Sequence, residues 1–178
     1  MAFARGAGKN AVMSPFVVSF VCTGNICRSP IGEVVLRDLL EREGLADRVR
    51  VVSAGTGDWH VGGPADPRAL STLRRFGLDG DAHRAQQFVR DSFSEVDLVL
   101  ALDRGHEEIL RRLAPTEEDR AKVRLLRSFD PAAVAAGALE VDDPYFGEDA
   151  DFVTTYEEVL PACEGVVAHL REELALAG

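Results

Sequence analysis

Val21-Cys22-Thr23-Gly24-Asn25-Ile26-Cys27-Arg28-Ser29-Pro30 is the stretch whose reading decides the fold. It follows Phe16-Val17-Val18-Ser19-Phe20, a short run rich in β-branched and aromatic residues that reads as a buried strand. After it, Ile31, Val34, Val35 and Leu39 recur on one helical face until Gly44 stops the helix. Ser29 reads as the N-cap of that helix and Pro30 as part of its first turn. The quoted residues are therefore a turn that carries a strand into a helix. The alternation continues with a strand at Val49–Ser53 and a helix capped by Asp66-Pro67 and ended by Gly77. Asp97–Leu102 is a third strand, followed by a helix through Ile109, Leu110 and Leu113 that Pro115 ends. Val123–Leu126 is a fourth strand, Ala132–Ala138 an Ala-rich loop, and Phe152 to Leu176 a last helix that Pro161 kinks or breaks. Strands alternating with helices predict a single α/β domain: a four-stranded parallel sheet with helices on both faces. Ligands of such sheets bind at the carboxyl ends of strands, where the strand order switches, and the quoted turn sits at such an end.

Composition bounds the function. The 178 residues suffice for one domain, with 46% hydrophobic and 28% charged residues as in soluble globular proteins. No run approaches the roughly 18 apolar residues of a membrane span. Residues 1–15 carry Arg5 and Lys9 without an apolar stretch, so they read as a disordered extension rather than a secretory signal, with Met13 an alternative start. The remainder, 16–178, is the folded unit. Three cysteines are too few for a disulfide framework and point to a reducing cytoplasm. A net charge of −10 disfavours nucleic acid and anionic membrane as partners, so any anion site must be built locally. A monomer is the expected state.

The turn has the means to build one. Thr23 to Cys27 lie between Cys22 and Arg28, a length that can curl until its backbone N–H groups converge on an anion. The following helix adds its N-terminal amides and dipole. Gly24 permits a left-handed backbone, and Asn25 tolerates one while bracing the loop with its side-chain amide. Arg28 offers a planar fork that matches two phosphate oxygens. Cys22 lies at the centre of the cup, where the groups that bind an oxyanion also stabilise a thiolate, and Ser29 can donate to it. The plainer readings are weaker. A cysteine after a strand is often a small hydrophobe. Cys22 and Cys27 as half a zinc site lack a second Cys/His pair, and a Walker loop is excluded because no Gly-Lys-Ser/Thr is present. Neither a metal nor a cofactor is called for.

The stretch Cys22 to Pro30 resembles the phosphate-binding loop of the low-molecular-weight protein tyrosine phosphatases, closest to bacterial members. Val141-Asp142-Asp143-Pro144-Tyr145-Phe146-Gly147 resembles the same family's Asp-Pro-Tyr loop. Val52-Ser53-Ala54-Gly55-Thr56, Asp58-Trp59-His60-Val61-Gly62, Ala82-His83-Arg84-Ala85, Leu100-Ala101-Leu102-Asp103 and Leu126 to Pro131 follow the family's order. The resemblance implies hydrolysis of protein phosphotyrosine through a cysteinyl phosphate, releasing inorganic phosphate. It implies Cys22 as nucleophile, Arg28 as phosphate clamp and Asp143 as the general acid that protonates the leaving phenolate and then activates water. Asp142 reads as a solvated neighbour, and only the motif separates the two. Trp59 and Tyr145 fall on the pocket walls. Asn25, Ser29, Ser53 and His83 fall on a network that holds the loop, with Asp103 the partner of that histidine. The resemblance also leaves room for release from the cell without a leader, and the Cys22–Cys27 pair suggests redox sensitivity.

Two departures are visible. Phe146 stands where many members have a second tyrosine, and Pro161 interrupts a helix that usually runs on. Rival functions on the same fold are arsenate reduction and phosphoarginine hydrolysis. The first wants relay cysteines, whereas Cys163 lies in the last helix; the second pairs with a threonine where Ile26 stands. A non-catalytic phosphate-binding module or a phosphocarrier would have no use for Asp143 or a tryptophan wall.

Overall fold

The computed structural model describes residues 13 to 177. Residues 1–12, most of the extension expected to be disordered, lie outside the described residues. Strands β1 (Phe16–Cys22), β2 (Val49–Gly55), β3 (Leu98–Ala101) and β4 (Val123–Leu125) form one parallel sheet in the order β2-β1-β3-β4. The chain runs outward from β1 to β2, then crosses back to β3 and β4. The order therefore switches between β1 and β3, and their carboxyl ends open the crevice expected of such a sheet. β1 delivers Cys22 there and β3 delivers Asp103.

Six α-helices complete the described chain: α1 (Arg28–Arg42), α2 (Pro67–Arg75), α3 (Arg104–Leu113), α4 (Glu117–Ala121), α5 (Pro131–Ala136) and α6 (Asp149–Leu176). Short 3₁₀ segments occupy Arg90–Glu95 and Leu126–Phe129. Alternation along the strands divides the core into two layers. Val18, Phe20 and Leu100 pack with Ile31, Val35 and Leu36 of α1 and Phe152, Val166 and Leu170 of α6. Val21, Val99 and Ala101 face the other way, onto Phe88, Phe93 and Leu110 of α3. Helices thus cover both faces, as expected.

Three local expectations are corrected. Ser29 is not the N-cap of α1; Cys27 is, without a side-chain cap, because the Ser29 hydroxyl is drawn inward to the loop. Ala132–Ala138 is not a loop, since Asp130 caps the short helix α5, Pro131 starts it and Gly137 ends it at φ 67°. Pro161 does not break α6, which runs through it for 28 residues. The carbonyl it leaves without a partner belongs to Glu157, on the exposed side, where water can serve it, while the buried face stays packed.

Candidate active site

The loop between β1 and α1 wraps around Cys22. Among the described residues, no protein acceptor takes up the N–H groups of Gly24, Asn25, Ile26 and Cys27. They are donors for an anion seated over the Cys22 sulfur. The loop closes through Asn25, which is fully buried and sits at φ 57°, the left-handed region that asparagine tolerates. Gly55 ends β2 against it: a Cβ there would lie 2.7 Å from the Thr23 carbonyl oxygen.

A buried hydrogen-bond network holds this shape. The two Asn25 amide protons go to Ser29 Oγ at 2.8 Å and Ser53 Oγ at 2.9 Å. Ser29 Oγ, already accepting from Asn25, is left to donate to Cys22 Sγ at 2.9 Å. Asn25 Oδ1 accepts from the Gln86 N–H at 2.9 Å, and the Asn25 carbonyl accepts from His83 Nε2 at 2.7 Å. Ser53 donates to Glu33, which His83 Nδ1 approaches at 3.5 Å. Burial pushes the Glu33 carboxyl upward, but hydrogen bonds from His83 and Ser53 outweigh it and hold the group below its ordinary range.

Arg28 is buried beneath the loop. Its Nη1 donates to Asp103 Oδ2 at 2.8 Å and to the Val141 carbonyl at 3.0 Å. This corrects the expected partner of His83: Asp103 bonds Arg28 and caps α3 through the His106 N–H at 2.9 Å, whereas His83 is served by Glu33. The imidazole beside Asp103 is that of His106, with Nδ1 at 3.2 Å, and its Nε2 meets Thr23 Oγ1 at 2.8 Å. Burial drives His106 down to about 4, against the pull of Asp103. It is neutral at neutral pH and leaves Asp103 as the counter-charge of Arg28.

Above the loop lies a cleft of about 230 Å³ lined by Cys22, Arg28, Ile26, Trp59, His60, Asp143, Tyr145 and Phe146. Asp143 Oδ2 stands 3.6 Å from Arg28 Nη2, and its Oδ1 accepts the Tyr145 N–H at 3.1 Å. Asp142 is exposed and outside the cleft. Trp59 is 72% exposed and Phe146 92%, so the rim is aromatic and open. Cys27 also lines the cleft, and burial, with Asp66 adding to it, pushes its thiol up to about 12.

The structure thus gathers Cys22, Thr23, Gly24, Asn25, Ile26, Cys27, Arg28 and Ser29 with Trp59, Asp143 and Tyr145 at the cleft, and Ser53, His83 and Asp103 beneath it. Sequence reasoning missed Glu33, Gln86 and His106. Glu33 lies on a helix facing its β-strand neighbour, and only its position one turn after Ser29 hinted at it.

The model of the family described as low molecular weight phosphotyrosine protein phosphatase matches residues 17–176. The chain belongs to that family. A low molecular weight protein-tyrosine-phosphatase of Streptomyces coelicolor is 54% identical over 88% of this chain and 94% of its own. Low molecular weight protein-tyrosine phosphatase A of Mycobacterium tuberculosis is 46% identical over 92% of this chain and 97% of its own. A protein tyrosine phosphatase structure from Entamoeba histolytica, with Hepes in its active site, superposes with TM-score 0.83 at 29% identity, covering 89% of this chain and 98% of that one. The fold and the hydrolase class expected of the phosphatase from its sequence are thereby borne out. No helix among the phosphatase's described residues is long and apolar enough to cross a membrane.

Proposed function

We propose that this phosphatase hydrolyses protein phosphotyrosine with Cys22 as nucleophile, Arg28 as phosphate clamp and Asp143 as general acid and base. The observation that carries the reading is the placement of Asp143 Oδ2 3.6 Å from the Arg28 guanidinium, at the mouth of the cup floored by Cys22. The phosphoryl group sits on the loop amides and the Arg28 fork. The Cys22 thiolate, held by Ser29, forms the S–P bond as the P–O bond to the phenol breaks. The Asp143 proton goes to the departing oxygen. Asp143, now a carboxylate, takes a proton from water as that water's oxygen bonds phosphorus, and Cys22 leaves as thiolate with inorganic phosphate as product.

Substrate preference follows from the rim. Trp59, Tyr145 and Phe146 with Ile26 offer a phenyl ring apolar walls, each aromatic pair worth roughly 0.5–1.5 kcal/mol. This favours phosphotyrosine over phosphoarginine. We also read the protein as a cytoplasmic monomer, with neither nucleic acid nor membrane as partner, from its three free cysteines and its charge of −10. Redox control rests on the two thiols sharing one cleft: peroxide would take Cys22 to the sulfenic acid, and the Cys27 thiol would displace water to give the disulfide. The raised Cys27 makes that closure slow rather than immediate.

The test is steady-state hydrolysis of phosphotyrosine, phosphoserine and phosphoarginine peptides side by side. Phosphotyrosine should be preferred in kcat/KM; a preference for either of the others would overturn the reading.

A further inference from the structure

The catalytic groups assigned above come from two loops far apart in the chain. Asp143 lies in a stretch without regular structure between α5 and α6. Its carboxylate touches only its own loop, at the Tyr145 N–H, and stands 3.6 Å from Arg28 Nη2, beyond a normal hydrogen bond. Val141 ties the loop to Arg28 Nη1 at 3.0 Å on the N-terminal side of Asp143, but none of these contacts fixes the C-terminal side of the loop against the phosphate cup.

Arg68, in the first turn of α2, does. Its Nη2 donates to the Tyr145 carbonyl at 2.9 Å and its Nη1 to the Gly147 carbonyl at 3.0 Å, so one guanidinium grips the acid loop on both sides of Phe146. The same group lies 4.5 Å above the Phe152 ring at the start of α6 and 5.8 Å from the Tyr145 ring. Its remaining donors meet Asp66, Nε to Oδ1 and Nη2 to Oδ2, both at 3.0 Å. Asp66 in turn donates its own N–H to the carbonyl of Ile26, at 2.8 Å, within the phosphate loop. A continuous run of hydrogen bonds joins the phosphate loop to the acid loop through two adjacent side chains.

We infer that the Asp66–Arg68 pair is a strap that sets the position of Asp143 over the phosphate cup, with Arg68 a positioning residue for general-acid catalysis. The inference rests on Asp143 being the general acid. A planar fork is needed, because one group must serve two carbonyls and a carboxylate at fixed angles; an ammonium cannot reach all three. A support that acts through Asp143 predicts a loss confined to the proton-transfer part of the reaction, whereas a merely structural role predicts the same loss with every substrate.

The experiment is single-turnover phosphoryl transfer to the enzyme from a series of aryl phosphates, for wild type, Arg68→Met, Arg68→Lys, Asp143→Asn and the double variant Arg68→Met/Asp143→Asn. Arg68→Met should lose about tenfold or more on an ester of a tyrosine-like phenol and less than about twofold on one of a strongly acidic phenol, which leaves without a proton. Inhibition by inorganic phosphate should change by less than about twofold, since the cup itself is untouched. In the Asp143→Asn background Arg68→Met should add less than about twofold, because the group it positions is gone. Arg68→Lys should fall with Met rather than with wild type, and it carries the test if the Met variant does not fold. Equal losses across the series, or the full loss in the Asp143→Asn background, would overturn the strap. If Asp143→Asn leaves the leaving-group dependence of wild type intact, the general-acid reading fails and the strap with it. If Asp143→Asn steepens the dependence and Arg68→Met does not, the strap alone fails.

Discussion

Replacing Asp103 with asparagine isolates the charge beneath the phosphate cup. The change is nearly isosteric and keeps an oxygen for the His106 N–H, so the α3 cap survives. What disappears is the counter-charge of Arg28, whose side chain is 4% exposed and bonds Asp103 Oδ2 at 2.8 Å. Breaking a fully buried pair costs about 3–5 kcal/mol. Here Asp103 is 25% exposed, and Arg28 keeps the Val141 carbonyl at 3.0 Å with Asp143 at 3.6 Å. Solvent screening and the surviving partners cut the expected loss to roughly 1.5–2.5 kcal/mol. For a chain of this size that is a fall in Tm of roughly 4–8 °C. His106 cannot make up the difference, being neutral above about 4. Burial raises the Asp103 carboxyl, yet the hydrogen bond from the His106 N–H and the hydrogen bond and charge of Arg28 outweigh it and place the folded group below its ordinary value. The sign follows: a depressed folded value means that the contribution is complete above the unfolded pKa of about 3.9 and is lost as pH falls through the folded value. The Tm gap between wild type and Asp103→Asn should therefore be full at pH 7 and close below about pH 4. The assay is thermal unfolding by circular dichroism in phosphate-free buffer, since phosphate would give Arg28 another anion. A gap under about 1 °C at pH 7, or one that persists unchanged to pH 3, would refute the pairing argument.

Cys22→Ser should abolish turnover while inorganic phosphate still binds the intact loop, read by calorimetry; full activity in that variant would remove the cysteine mechanism. Asp143→Asn should cost roughly 10²–10⁴ in phosphoryl transfer from an ordinary phenol ester, against less than about tenfold for Asp142→Asn, measured by rapid quench. After peroxide and then dithiothreitol, wild type should recover activity and Cys27→Ser much less, with equal recovery counting against a protective disulfide. Gly165→Ala should destabilise α6 in spite of alanine's better helix propensity, because its Cβ would stand 1.8 Å from the Phe129 carbonyl oxygen. The overpacking is worth roughly 1–3 kcal/mol, and a raised Tm in that variant would show that the contact yields freely.

Periodicity and punctuation are local properties of a chain, and they told the α/β class, the parallel sheet and the place of the phosphate loop. The strand at Phe16, the helix after Pro30 and the stops at Gly44 and Gly77 follow from side-chain spacing and φ preference alone; both glycines sit at positive φ, 70° and 77°. The residue types of the cup were legible for the same reason, since Cys22 to Ser29 are contiguous and their chemistry needs no distant partner to be recognised. Pairing across the fold was not. Asp103 belongs to Arg28 and His106 rather than His83 because β3 lies beside β1, which sets the end of β3 against the loop. Glu33 belongs to His83 and Ser53 because α1 packs over β2. Ser29 turned from a cap into a donor for Cys22 because Asn25 reaches it from within the curled loop. Pro161 stayed inside α6 because burial of that helix outweighs one missing hydrogen bond, a comparison that side-chain spacing cannot make. Local sequence told where the four strands and the longer helices lie, whereas strand order and helix packing decided which charges meet.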